Sequence, residues 1–327
     1  MAPVYRPFGS TGRRVSPVSF GAWAIGGYWG KVYDSESEAA LHRAVSMGVN
    51  LFDTADVYGD GHSEELIGQL PNRDRLFIAT KAGRRLPKQE TSGYTRENLV
   101  AWTERSRAKL RVRTIDLLQL HCPPPDLYKS PRVFRVLDDF VREGRIKNYG
   151  TSVETIEEAK LALDQPGVQS IQIIFNMFRQ RPIEELFPLA QKRKVAIIAR
   201  VPLASGLLTG RVTKARAFSA DDHRNFNRNG EAFDVGETFS GVPLDIGLAA
   251  VEELKGILPK GWTLAQFALR WILMHDAVTT VIPGCKTAHQ VEDNMKAADL
   301  PAIPAATMSA VREIYDRLIL PHVATRW

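Results

Sequence analysis

The chain has 327 residues, 44% of them hydrophobic and 24% charged. That is enough apolar material for one large core, and barrels of alternating strands and helices commonly reach this length, so residues 1–327 are expected to form a single domain. The net charge of +6 comes from 43 basic residues dispersed among 37 acidic ones, which suits an anionic ligand, but no basic tract interleaved with aromatics argues for nucleic acid. Two cysteines, Cys122 and Cys285, exclude a disulfide framework and lack metal-ligand spacing. The opening MAPVYRPFGSTGRRVSP has no apolar core of a secretory signal, and no run approaches the ~18–20 apolar residues of a membrane span. A cytoplasmic protein without membrane association is therefore the expectation.

From the N-terminus, short apolar runs alternate regularly with segments of helical period. A hairpin turning at residues 10–12 precedes strands expected at 18–21, 50–53, 77–81, 117–121, 146–151, 170–175, 196–200 and 280–282. Between and after them, helices are expected at 35–47, 63–70, 95–110, 131–143, 155–164, 184–192, 263–274 and 288–297. Eight strands in βα alternation fit a closed (β/α)8 barrel of the TIM type, with the N-terminal β-hairpin plugging one end. The rhythm breaks once, in a long loop after strand seven, where about sixty residues precede the helix near Thr263. Its middle, AFSADDHRNFNRNGEAFDVGETFSG, reads as a flap over bound ligand or as a plain surface loop, spanning residues 211–245.

Four polar residues sit at or just past the C-terminal ends of these strands: Asp53 and Tyr58, Lys81, and His121. That rim is where a parallel barrel assembles its active site. A phenol has a reference pKa of ~10. A neighbouring ammonium favours its ionised form and lowers that value, and a carboxylate keeps the ammonium charged and aimed. Tyr58 thus reads as a general acid, Lys81 as its tuner and Asp53 as the anchor. His121 reads as a donor to a carbonyl oxygen. A single residue of any of these types at a strand end is most often structural; the four together point to chemistry. No metal is required. Cys122, beside His121, reads as a packing residue before it reads as a redox-sensitive thiol.

No Gly-x-Gly-x-x-Gly follows the first strand, so a Rossmann domain is not indicated and any dinucleotide binds to the barrel itself. In ARVPLASGLLTG, small residues around Leu203 and Gly206 permit close approach of backbone N–H groups to phosphates. Trp23 and Trp29 in GAWAIGGYWG offer an apolar wall beside Tyr58 and His121 for a substrate, or pack in the core. Arg224 and Arg228 of the long loop suit polar or anionic substrates.

The chain resembles the aldo-keto reductases, nicotinamide-dependent carbonyl reductases built on a (β/α)8 barrel. The resemblance runs from YRPFGSTGRRVSPVSFGAW to IPGCKTAHQVEDN, and the family's tetrad falls on Asp53, Tyr58, Lys81 and His121. It implies NADPH-dependent reduction of an aldehyde or ketone, with NADH the less favoured cofactor and a small-molecule carbonyl as the partner. It places the nicotinamide carboxamide on Ser152 and Gln172, with Val153 standing where many relatives have Asn. It places Arg200 where many relatives stack an aromatic ring on the nicotinamide; a guanidinium stacks too, and here either adds positive charge or pairs with a rim carboxylate. The dinucleotide site is completed by Gly21, Ala22, Trp23 and Gly284. Lys286, Thr287 and Gln290 fall at a 2′-phosphate and Asn294 at the adenine edge, and Lys286 is the reason to expect NADP. The family also includes channel-associated subunits, so a nicotinamide-binding regulatory module is the alternative. A metal-dependent barrel enzyme is the third reading, for which no His/carboxylate ligand cluster is seen. Oligomeric state is not legible.

Overall fold

The computed structural model describes residues 4–325. The chain opens with an antiparallel hairpin, β1 (Arg6–Pro7) and β2 (Arg14–Val15), with Arg6 opposite Val15. Its apolar residues Phe8 and Val15 point into the barrel floor, where they join Leu51, Phe77, Leu117, Ala196 and Ile198 in an inner core; the Phe8 and Phe77 rings lie 4.7 Å apart. The turn presses so close to the next element that a Cβ on Gly9 would stand 2.9 Å from the Lys194 carbonyl oxygen. The hairpin closes this end, so ligands enter from the other.

Eight parallel strands follow: β3 (Phe20–Gly21), β4 (Leu51–Asp53), β5 (Phe77–Ala82), β6 (Ile115–His121), β7 (Ile146–Ser152), β8 (Val168–Ile174), β9 (Ala196–Arg200) and β10 (Val278–Val281). They pair in chain order. The ring closes where the Val281 amide donates to the Pro17 carbonyl at 2.9 Å and the Gly21 amide to that of Pro283 at 3.0 Å. Every residue of β6 is buried, as expected of a strand covered by helices outside and by barrel packing inside. Each expected strand is present to within a few residues.

Helix starts follow their caps. Thr155 and Thr263 form capping boxes with Glu158 and Gln266, and Thr95 accepts from the Asn98 amide, each satisfying backbone donors that the first turn leaves free. The helix expected at 184–192 is instead two, Pro182–Glu185 and Phe187–Arg193. Pro188 explains the break, since it lacks the N–H a continuous helix needs there. The helix at 288–297 ends as Ala288–Met295 with a 3-10 turn, Lys296–Ala298, behind it. Two longer helices go beyond the sequence reading. Leu244–Gly256 lies within the long interval after β9, and Ala305–Ile314 packs near the C-terminus. No helix of the described residues is long and apolar enough to cross a membrane.

Candidate active site

Sheet register brings the rim residues together. Lys81 is level with Gln119, His121 with Ser152, and Ser152 with Gln172. The Lys81 ammonium donates to Asp53 Oδ1, to the Thr54 carbonyl at 2.8 Å, and to the Tyr58 hydroxyl at 3.4 Å. Its three protons are thereby accounted for. Asp53 Oδ2 accepts from Gln119 Nε2 at 2.9 Å and Gln172 Nε2 at 2.7 Å. Asp53 and Lys81 are both buried, and this ring of donors is what lets the charges stay there.

The electrostatics correct one expectation. Burial raises the Tyr58 pKa, and the pull of Lys81 in the other direction does not overcome it, so the net shift is upward. Lys81 acts as expected, but on a phenol whose removal from water dominates; the hydroxyl keeps its proton through the neutral range. Burial lowers the Lys81 pKa, while Asp53 and Tyr58 more than restore it, leaving the ammonium above its usual value and charged. Burial, with Arg84, Lys81 and Arg200 nearby, holds His121 well below its usual value. The imidazole is neutral, its ring centre 6.0 Å from that of Tyr58. Its Nδ1 is buried with no partner among the described residues.

These groups open onto a cavity of about 620 Å³. Its wall contains Tyr58, His121, Trp23 and Trp29, as expected, and also Gly21, Ala22, Ser152, Gln172, Arg200, Leu203, Gly206, Gly284, Lys286, Gln290 and Asn294. Lys81 does not line it, and Thr287 is the other exception. Its hydroxyl accepts from the Gln290 amide at 3.3 Å, capping the helix Ala288–Met295, and it does not line the wall. Arg228 is exposed and also lies off the wall, whereas Arg224 is on it. Gln172 has spent its amide nitrogen on Asp53 and Gln119, so its carbonyl oxygen is what it can offer a ligand. Gln290 accepts from the Lys286 amide at 2.7 Å, and Asn294 donates to Cys285 Sγ at 3.2 Å.

Arg200 resolves between its two readings in favour of the ion pair. Its guanidinium donates to Glu237 and, at 3.0 Å, to the Val153 carbonyl. Both ionic side chains are less than a tenth exposed. Burial pushes the Glu237 carboxyl up, but Arg200 and Arg84 more than offset that and keep it ionised. The pair is close to neutral, so Arg200 can present a flat face to the cavity without the free positive charge expected of it. Cys122 is half-buried; burial raises its thiol above the usual value against the pull of Arg84 and Arg200, and its Sγ lies 3.6 Å from the Ser152 hydroxyl.

The segment after β9 is folded against the mouth. Asp222 accepts from the Arg224 amide at 2.9 Å and grips the Arg224 guanidinium at 2.8 and 2.6 Å. That guanidinium lies 5.0 Å from the Trp29 ring centre. The His223 amide donates to the Tyr28 carbonyl at 2.9 Å, and its ring packs 4.8 Å from Trp23 and 4.5 Å from Trp29. Ser205 donates to the Glu237 carbonyl at 2.8 Å, and Asn176 to the Ser240 hydroxyl at 2.9 Å. Arg211, Arg216, Arg224 and Lys286 give the cavity a cationic wall, fit for phosphate groups. Lys286 also donates to the Trp29 carbonyl. Among the described residues, no three His, Cys, Asp or Glu side chains are grouped to hold a metal ion.

Sequence reasoning missed Gln119, Glu237, Asp56, Arg211 and Arg216. Gln119 carried a signal, because a glutamine inside the apolar run LLQLH must find a buried partner. Asp56 is fully buried, and neither of its carboxylate oxygens has a hydrogen-bond partner among the described residues. Burial, reinforced by Glu64, raises its pKa to about 7.

Fold and site together define a (β/α)8-barrel protein whose mouth joins a buried Tyr–Lys–Asp chain to a cationic ligand wall. Residues 17–316 match the model of the Aldo/keto reductase family, and the chain belongs to that family of oxidoreductases, which generally use nicotinamide cofactors. It is 29% identical over 294 residues to the aldo-keto reductase YhdN of Bacillus subtilis, covering 88% of this chain and 86% of that protein. It is 30% identical over 329 residues to a probable voltage-gated potassium channel subunit beta of Arabidopsis thaliana, covering 95% and 96%. Among solved structures, the glycerol dehydrogenase AKR11B4 from Gluconobacter oxydans matches with a TM-score of 0.78 at 29% identity, over 98% of this chain and 97% of that one.

Proposed function

We propose that the protein reduces an aldehyde or ketone to an alcohol with NADPH, reversibly, and that Tyr58 supplies the proton. The observation that carries this reading is the buried chain in which the Tyr58 hydroxyl meets an Asp53-anchored Lys81 ammonium at 3.4 Å, in one cavity wall with His121. When bound, the nicotinamide supplies hydride to the carbonyl carbon. Everything else falls to the chain. Neutral His121 donates a hydrogen bond to the carbonyl oxygen and orients it. Tyr58 gives that oxygen its proton, and the charged Lys81 stabilises the phenolate left behind. Trp23 and Trp29 wall off water beside the reacting carbon. Ser152 and the Gln172 carbonyl oxygen suit the carboxamide, Arg200 the ring face, and Lys286, Arg216 and Arg224 the phosphates. A 2′-phosphate rewards the Lys286 cation, which favours NADP over NAD.

The test is loss of NADPH absorbance against a panel of aldehydes, ketones and sugars, beside NADH and beside Tyr58→Phe. The expected result is NADPH-dependent turnover that falls at least ~10²-fold in Tyr58→Phe while NADPH affinity stays within two-fold. Retained turnover in that variant ends the assignment. The match to a protein named as a channel beta subunit over 95% of the chain favours a second reading, a nicotinamide-binding regulatory module. Tight NADPH binding with no turnover on any carbonyl would decide for it.

A further inference from the structure

Tyr58 heads a turn that is awkward for the backbone. Gly59 (φ 59°, ψ 36°) and Asp60 (φ 55°, ψ 36°) are followed by Gly61 at φ 88°, three consecutive residues in the left-handed region, of which Asp60 carries a Cβ that disfavours it. The turn is also jammed against the short helix Trp23–Gly26: a Cβ on Gly59 would stand 2.2 Å from the Gly26 carbonyl oxygen. Glycine and aspartate tolerate this region as single residues, but three in succession are uncommon, so contacts from outside help to hold residues 56–61.

Two guanidiniums do so. Arg85 Nη2 donates to the Asp56 carbonyl and to Asp60 Oδ1, both at 2.5 Å. Arg105 donates from Nη1 to the same Asp56 carbonyl at 3.2 Å, and from Nη2 to the Asp60 carbonyl at 2.7 Å and to Asp60 Oδ1 at 2.9 Å. Asp56 and Asp60 flank Tyr58 on either side, so the two arginines bracket it. They also come from the elements against which its position matters. Arg85 lies four residues past Lys81, just beyond β5, and Arg105 projects from the helix Arg96–Leu110, which packs on the helix His62–Ile67 that continues the turn.

We propose that Arg85 and Arg105 are positioning residues that set the Tyr58–Lys81 distance by clamping the Asp56 carbonyl and the Asp60 carboxylate. The proposal rests on the reading of Tyr58 as the proton donor. The 3.4 Å separation is near the outer limit of a hydrogen bond, so a small drift of the turn breaks the contact between acid and ammonium. Asp60 is 79% exposed, so its ion pairs with the two arginines add little to global stability. Arg85 Nε also lies 3.2 Å from Oδ2 of the buried Asp56, so Arg85→Ala carries a stability cost that Arg105→Ala does not. The signature is therefore a loss of rate in the folded protein, which Arg105→Ala shows without a loss of fold.

The experiment compares Arg85→Ala, Arg105→Ala, Arg85→Lys, Arg105→Lys and Tyr58→Phe in the full-length protein, with NADPH and 4-nitrobenzaldehyde as probe. Alongside it, amide hydrogen exchange is measured for residues 57–61. The alanine variants are expected to lose ~10- to 100-fold in kcat, with KM and NADPH Kd within two-fold, and to exchange faster at 57–61 and nowhere else. Arg85→Lys recovers most of the rate, because a single Arg85 nitrogen, Nη2, makes both of its hydrogen bonds to the turn. Arg105→Lys does not, because Arg105 spreads its contacts over two nitrogens. Alanine variants within two-fold of the parent kcat, beside an inactive Tyr58→Phe, overturn the clamp and leave the acid in place. An active Tyr58→Phe overturns both. Unchanged exchange at 57–61 overturns the clamp whatever the turnover.

Discussion

The strand-end rim and the segment after β9 both close on one cavity, yet they are held by different physics. At the rim, Asp53, Lys81, Gln119 and Gln172 come from four strands, and their contacts are fixed by sheet register deep in the barrel. In residues 213–243 there is no strand. A four-residue helix, His223–Phe226, and two short 3-10 turns are tied down by side chains such as Asp222, Asn227 and Ser205 bonding to nearby backbone. To disturb the rim the barrel must open; to lift the segment, a handful of local bonds must break. The fold thus puts the Asp53–Lys81–Tyr58 chain where stability is global and the covering segment where it is local.

The largest effect is expected at the rim. Lys81→Met removes the cation that compensates a buried Asp53, leaving only the two glutamine amides. Breaking a buried pair by removing one partner costs about 3 kcal/mol or more, and here that cost falls on the global unfolding equilibrium. A urea midpoint lowered to match, with the whole barrel melting in one transition, is the expected result. A midpoint within about 1 kcal/mol of the parent would place the pair in the same class as a surface ion pair and break the comparison.

The rim was legible in the sequence because sheet register obeys simple rules: an apolar run ends, and the polar residue there faces the mouth. Asp53, Tyr58, Lys81 and His121 were found that way. What supports them was not, since Gln119 sits inside its run and Arg85, Arg105 and Glu237 act through contacts between segments remote in sequence. The helix Leu244–Gly256 escaped for a local reason. Gly247 interrupts its periodicity, and the position takes glycine because a Cβ would stand 2.8 Å from Leu207 Cδ1. The free positive charge expected of Arg200 is offset by an ion pair that nothing in ARVPL announces, because its glutamate partner lies 37 residues on.

Asp56 sharpens the comparison from within the rim, because its burial outweighs the Arg85 guanidinium 3.2 Å from its Oδ2. Its pKa in the fold, about 7 against an ordinary 3.8, means that the folded state holds a proton which the unfolded chain releases. Stability on this account falls as pH rises from about 4 to about 7 and is flat above that. Asp56→Asn keeps the backbone carbonyl that the arginines use and removes the titration. It is expected to raise stability at pH 8 on the order of 2 kcal/mol, because the roughly 4 kcal/mol that the shift represents is offset in part by the lost pairing with Arg85, and by clearly less at pH 4.5, as read by urea unfolding at each pH. An equal difference at the two pH values would assign the effect to something other than the carboxyl.

The smallest effect belongs to the covering segment and tests whether its stability is local. Asp222 accepts the Arg224 amide at the start of His223–Phe226 and orients the Arg224 guanidinium over Trp29. Asp222→Ala deletes a cap and a charge-assisted grip, together about 1–2 kcal/mol. If residues 213–243 open on their own, that loss leaves the urea midpoint of the barrel where it was. It appears instead as a roughly ten-fold rise in the rate of proteolytic nicking within the segment, since opening free energy sets the population a protease sees. On the proposed reading, NADPH is expected to return that rate towards the parent value, since Arg224 and Lys286 both line the cavity. A lowered global midpoint with no local change in cleavage would mean that segment and barrel unfold as one unit, and that the division between the two regions is only one of appearance.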